Sequence, residues 1–220
     1  MTILFVLLTF LVILAITYST KRGQPVVKRT VMIGRPAAPR MIGDMGFEIP
    51  QGYGFHPGHT WVLDEGSQNA RVGMDSFAAN LIGRIDRIEV AELNRWVRQG
   101  QKVWSVARGG MTVDMLSPVE GVVVAVNPEV QKDPNMAVKD PYQDGWVCVI
   151  KAPELATNIN NLLRGSVIGP WMQNTLRRFG AMTAQLAGAT AQDGGLPIPG
   201  SLAQVDQATR QALIKEFFLT

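Results

Sequence analysis

The spacing of apolar residues takes three rhythms along this chain. Residues 2–19, TILFVLLTFLVILAITYS, are apolar almost throughout and carry no charge. From about Phe47 to Pro153 the apolar runs are short and broken by Gly, Pro, Asn and Asp, the pattern of many short strands. Beyond Pro153 the apolar positions recur at helical intervals.

In the central part, residues 60–63 and 70–73 read as strands. Gly121 to Val126 is β-branched and stops at Asn127-Pro128. Residues 146–150, WVCVI, form a continuous apolar run, as in a strand covered on both faces. Residues 75–83, DSFAANLIG, predict a short helix capped by Asp75 or Ser76 and stopped by Gly83. Gly109-Gly110 predicts a two-residue hairpin turn. Trp61, Trp146 and Tyr142 read as core aromatics with one polar edge each. Gly121 and Gly145 read as residues that permit turns or bulges.

In the last part, residues 154–163 predict a helix ended by Arg164-Gly165. Pro170 suits a helix start. Trp171, Met172, Leu176, Phe179, Met182 and Leu186 then form one stripe. Residues 192–200 are Gly- and Pro-rich and break the pattern. Ser201 to Gln204 predicts a capping box, and Leu202, Val205, Ala212, Leu213 and Phe217 form a second stripe. Such helices are marginal alone and need a surface to cover. That surface is either the chain's own domain or another subunit. The long Gly/Pro break favours reach towards a partner.

Composition sharpens the first part most. Charged residues are 18% and hydrophobic ones 46% of 220. This balance leans towards a membrane-associated protein. Residues 2–19 reach roughly 27 Å as a helix, about one hydrocarbon core. No basic residue precedes the segment and no small-residue cleavage site follows it, so residues 1–20 predict an uncleaved transmembrane helix. Lys21, Arg22, Lys28, Arg29, Arg35 and Arg40 follow, with no acid before Asp44. These six positive charges exceed the whole-chain net of +3 and leave the remainder at −3. The bias predicts a single pass through the inner membrane with the rest of the chain on the cytoplasmic side. The basic stretch either lies against anionic headgroups or serves only as the topology signal. With Pro25, Pro36 and Pro39, residues 21–46 read as an extended tether.

Candidate chemistry is sparse. Cys148, the one cysteine, lies in an apolar strand and reads as inert core. His56 and His59 form H-x-x-H with no third ligand nearby, so no metal is expected. There is no Walker loop, G-x-S-x-G or G-x-G-x-x-G. No cofactor, nucleic-acid partner or catalytic group is expected.

Residues 59–61 (HTW), 72–83 (VGMDSFAANLIG), 117–121 (SPVEG) and 140–146 (DPYQDGW), in this order, resemble the H protein of the glycine cleavage system. That resemblance implies a mainly β barrel-sandwich hybrid of the lipoyl-carrier type over 47–153. It also implies a hairpin whose tip bears a lysine for lipoate. Counted back from Ser117-Pro118, the lysine's place falls on Gly110. Glycine has no amine to acylate. The turn either survives as scaffold or, as a bare tip of Arg108, Gly109, Gly110 and Met111, inserts into a partner.

The expected whole is a non-catalytic accessory subunit of a larger bacterial membrane complex, with respiratory or redox assemblies as hosts by analogy. Its partners are the lipid bilayer and larger protein subunits. Contact is expected through the hairpin tip and through Trp171, Met172, Leu176, Phe179 and Phe217 of the helical extension, 154–220. Two alternatives stand beside it. One is a genuine carrier using Lys102 or Lys132. The other is an adaptor whose Arg29, Arg35 and Arg40 recognise anionic lipid.

Overall fold

A computed structural model describes residues 6, 9–14, 41–44, 47–187 and 199–220. The chain divides into two units, Met1–Ile33 and Gly34–Thr220. In the first, Val6 and residues 9–14 are helical with exposed side chains. No helix among the described residues is long and apolar enough to cross a membrane. Most of the expected span, and all six basic residues from Lys21 to Arg40, lie outside the described residues.

The second unit is mainly β up to Lys151 and helical after it. A hairpin of β1 (Met41–Asp44) and β2 (Phe47–Pro50) opens it, with Met41 opposite Pro50. The extended tether predicted to residue 46 therefore gives way to paired strand from Met41. Alternation over so few residues gives no sign of a partner strand.

The main sheet has the order β3-β4-β5-β11-β10-β7, all antiparallel where paired. It comprises β3 (Gly54–His56), β4 (Thr60–Asp64), β5 (Asn69–Met74), β7 (Trp96–Val97), β10 (Gly121–Val126) and β11 (Cys148–Lys151). Of the continuous apolar run at 146–150, only Cys148 to Ile150 enter β11, which lies between β5 and β10 and buries all three. A three-stranded sheet of β6 (Arg87–Val90), β8 (Lys102–Arg108) and β9 (Met111–Leu116) carries the predicted hairpin.

Between β5 and β6 lies the predicted helix, Ser76–Ile82. Asp75 is its N-cap and accepts from the Ala78 N–H at 2.8 Å. Gly83 ends it at φ 68°, with its N–H on the Ala79 carbonyl. Short helices Pro128–Lys132 and Met136–Lys139 bridge β10 and β11.

The extension begins with helix Leu155–Asn160 and a 3-10 turn at Gly165–Val167. The long helix Ile168–Ala187 starts two residues before the expected Pro170. The second stripe is two helices, Ser201–Gln204 and Gln207–Phe218. The capping box at Ser201 does not form. Gly200, at φ 79°, takes the cap position and gives no side-chain bond, and the Ser201 hydroxyl is buried without a partner. Asp206 caps the last helix instead, accepting from the Ala208 and Thr209 N–H groups.

The extension's apolar stripes join the core of the β domain. Ile168, Met172, Leu176, Phe179, Leu202, Leu213, Phe217 and Phe218 belong to one buried cluster with Phe55, Trp61, Phe77 and Val113. The expected partner-facing arms are thus folded onto their own domain. Met172 and Phe217 are 2% exposed and Leu176 and Phe179 5%, so these four present little to a partner. Trp171 is partly buried and stacks on His59 at 5.0 Å. The physical reason is area: a small β domain leaves apolar surface that two amphipathic helices can cover.

Candidate functional site

The site is built on the β8–β9 hairpin. Arg108 pairs with Met111, leaving Gly109 and Gly110 as a two-residue turn. Their φ values are 52° and 82°, the signature of the primed turns whose twist suits a hairpin. A Cβ at either glycine would meet nothing within 4 Å. The tip is open to solvent, and two glycines supply the positive φ without strain.

Below the tip, the hairpin is tied down. The Gly109 N–H donates to Asp86 Oδ2 at 2.9 Å, and the Asp86 N–H donates to the Ala107 carbonyl. Arg108 does not point outwards with the tip. Its Nη1 donates to the Ile82 carbonyl at 2.6 Å, at the C-terminal end of helix Ser76–Ile82 where partial negative charge collects. A Cβ on Gly83 or Gly200 would strike the Arg108 guanidinium. The Gly200 N–H donates to the Asn80 carbonyl at 2.7 Å, which brings the extension to the same helix end. Met111 is 5% exposed, and β9 packs against the last helix. Of the four tip residues expected to face a partner, the structure leaves Gly109 and Gly110 exposed and turns Arg108 and Met111 inwards.

Amines lie elsewhere. Lys102 is at the far end of β8, opposite Leu116, with its ammonium 2.6 Å from Asp114. Lys132 is exposed at the end of helix Pro128–Lys132. Neither is at the turn.

Behind the hairpin, His59 Nδ1 lies 2.7 Å from Asp75 Oδ2, and both side chains are buried. The His59 ring sits 4.4 Å from Phe77 and 5.0 Å from Trp171, with Phe217 and Phe218 near its edges. Asp75 thus caps a helix and holds a histidine with one carboxylate. His56 accepts from the Gly58 N–H at 3.0 Å. Burial, then the neighbouring His59, lowers its pKa from 6.5 to about 4. Burial pushes the Tyr53 hydroxyl up to about 12 and raises the Cys148 thiol, so neither is a nucleophile near neutrality.

The sequence named His59 and Asp75 separately but not as a pair, because residues 16 apart share no local pattern. It also missed the Asp86 tie, which has no motif. A cleft of about 590 Å³ lined by Ile49, Pro50, Gly165, Ile168 and Pro170 contains no hairpin residue.

The comparisons with known proteins, not the hairpin's shape, define the β domain as one of the lipoyl-carrier type. The chain belongs to the glycine cleavage H-protein family, whose sequence profile matches residues 54–174, more than half its length. It is 32% identical over 94 residues to a probable mitochondrial glycine cleavage system H protein 1 of Dictyostelium discoideum, covering 43% of this chain and 64% of that one. Over 115 residues it is 31% identical to the glycine cleavage system H protein of Idiomarina loihiensis, covering 52% and 88%. Over 108 residues it is 31% identical to that of Thermus thermophilus, covering 49% and 84%. A crystal structure of the H protein of Mycobacterium marinum aligns at a TM-score of 0.44 and 24% identity, covering 48% of this chain and 87% of that one. The three antiparallel sheets bear out the mainly β class expected of the central part.

Proposed function

We propose that this chain is a non-catalytic, membrane-anchored accessory subunit built on an H-protein-type domain that carries no lipoate. One observation bears most of the weight: the hairpin tip, where the family resemblance puts the modified lysine, is Gly109-Gly110. An acyl arm needs an amine at an exposed apex, and function follows the site rather than the fold. Lys102 and Lys132 are poor substitutes, one paired with Asp114 at the wrong end of the strand and the other on a separate helix.

The apolar segment 2–19 and the basic residues after it support a single span with the domain on the cytoplasmic side. Partner subunits of a larger bacterial membrane assembly, respiratory or redox in kind, are the natural context. Of the contact surfaces expected from the sequence, the glycine tip stays exposed, while the helical stripes cover their own core. Purification from native membranes tests this reading. Co-elution of a stable set of membrane subunits supports it, and elution of the chain alone contradicts it.

A further inference from the structure

From residue 49 to 153, the exposed large hydrophobic side chains among the described residues are Leu93, at 54%, and Trp96, at 46%. They lie three residues apart, in a turn where the Arg95 N–H donates to the Glu92 carbonyl at 3.2 Å. The turn is fixed on its inner side: the Asn94 N–H donates to the Val123 carbonyl at 2.8 Å, and the Val123 N–H to the Arg95 carbonyl at 3.0 Å. The two apolar groups are therefore held out from the sheet on a braced turn.

Trp96 lies on β7, the edge of the main sheet. It is opposite Val122, and Val122 is opposite Lys151. Residues directly opposite share one face of a sheet. That face thus runs from Trp96 through partly buried Val122 to exposed Lys151. Arg95 and Arg98 are exposed beside it. Within residues 92–98 the two arginines stand against one acid, Glu92.

We propose that Leu93, Trp96, Arg95, Arg98 and Lys151 form a lipid-contact patch that seats the β domain on an anionic membrane surface. Tryptophan is suited to the headgroup boundary because its ring is apolar and its N–H is polar. Basic side chains beside it meet anionic headgroups within a short screening distance. Two features favour lipid over a protein partner. The edge strand is two residues long, so an added peptide strand would gain almost no ladder. The two side chains also expose on the order of 200 Å², far below the roughly 800 Å² a stable protein interface buries on each side. A bilayer contact needs only shallow insertion of a few groups on a chain already held nearby. The patch extends the membrane-anchored reading to the domain's own surface and rests on it.

The full-length chain in phosphatidylcholine–phosphatidylglycerol vesicles, with acyl chains brominated near the headgroup, tests the patch. Bromine quenches tryptophan only at short range. Trp61 and Trp104 are buried at 0% and 1% exposure and stay out of reach. The expected result is quenching that falls severalfold in Trp96→Phe. It should also fall in Arg95→Gln/Arg98→Gln, at high salt, and in vesicles of phosphatidylcholine alone. Quenching unchanged in Trp96→Phe overturns the proposal, as does no quenching of the wild type, which would leave this surface to a protein. Equal quenching without phosphatidylglycerol also contradicts it. Flotation with vesicles at high salt reads the N-terminal segment separately. Flotation without Trp96 quenching removes the patch and keeps the anchor. Trp96 quenching without flotation removes the anchor.

Discussion

His56 stays neutral near neutral pH in the folded chain because its ring is partly buried and His59 stands nearby. Its native pKa of about 4 lies below the ordinary 6.5, so the unfolded chain binds the proton more tightly. Stability from this residue is full above 6.5 and declines as the pH falls from there towards 4. A thermal midpoint that drops across this window is expected, with a shallower drop in His56→Asn, whose amide oxygen can still accept from Gly58. Equal slopes in both proteins would exclude His56 as the cause.

Three glycines separate packing from turn geometry. A Cβ on Gly73 would lie 2.6 Å from the Trp61 ring, and one on Gly121 would overlap the Lys151 carbonyl. Gly110 has open space but a φ of 82°. Gly73→Ala and Gly121→Ala should each cost about 1–3 kcal/mol or more in urea unfolding. Gly110→Ala should cost only about 1 kcal/mol, from the left-handed backbone. The sequence marked Gly121 as a turn or bulge position. The structure gives a closer reason: the backbone at the end of the paired neighbouring strand, Lys151 and Ala152, leaves no room for a Cβ. Such a contact joins residues far apart in the chain and leaves no local trace.

At the scale of elements, the strands and the Asp75-capped helix were legible because their signals are local: β-branching, Gly and Pro breaks, and a capping side chain. The hairpin turn was legible for the same reason, since two glycines in sequence fit few other backbones. The extension was half legible. Helical spacing shows that a stripe is buried but not what buries it, so Phe179 and Phe217 pointed equally to a partner or to the chain itself. The break at Val205 and Asp206 was masked by apolar residues on both sides of it.

The burial now found makes a sharp prediction. Phe217 packs against Phe77 at 5.3 Å and Phe179 at 6.0 Å, and Arg178 pairs with the adjacent Glu216. Phe217→Ala should lower unfolding free energy by about 3–5 kcal/mol. A change under about 1 kcal/mol would mean the last helix does not dock. Arg108→Met should cost about 2 kcal/mol, through a charge-assisted bond to the Ile82 carbonyl. No loss of stability would show that Arg108 is free to serve the tip.

At the scale of the whole second unit, one core joins the family domain to a helix, Ile168–Ala187, that runs past the family match at residue 174, and to the helices after it. Truncation within the extension should therefore unsettle the β domain, not merely remove an arm. The family and the β class were legible because HTW, SPVEG and DPYQDGW occur in order. The inward turn of Arg108 was not, because it depends on Gly83 and Gly200 leaving room for a guanidinium.

The hairpin's apex, Gly109-Gly110, carries no amine. The most direct measurement is the intact mass of the full-length chain from cells supplied with lipoate, beside a lipoylated H protein from the same cells as control. The expected mass equals that of the unmodified sequence while the control carries its adduct. A lipoyl adduct on this chain, traced by peptide mapping to Lys102, Lys132 or any other lysine, would contradict it.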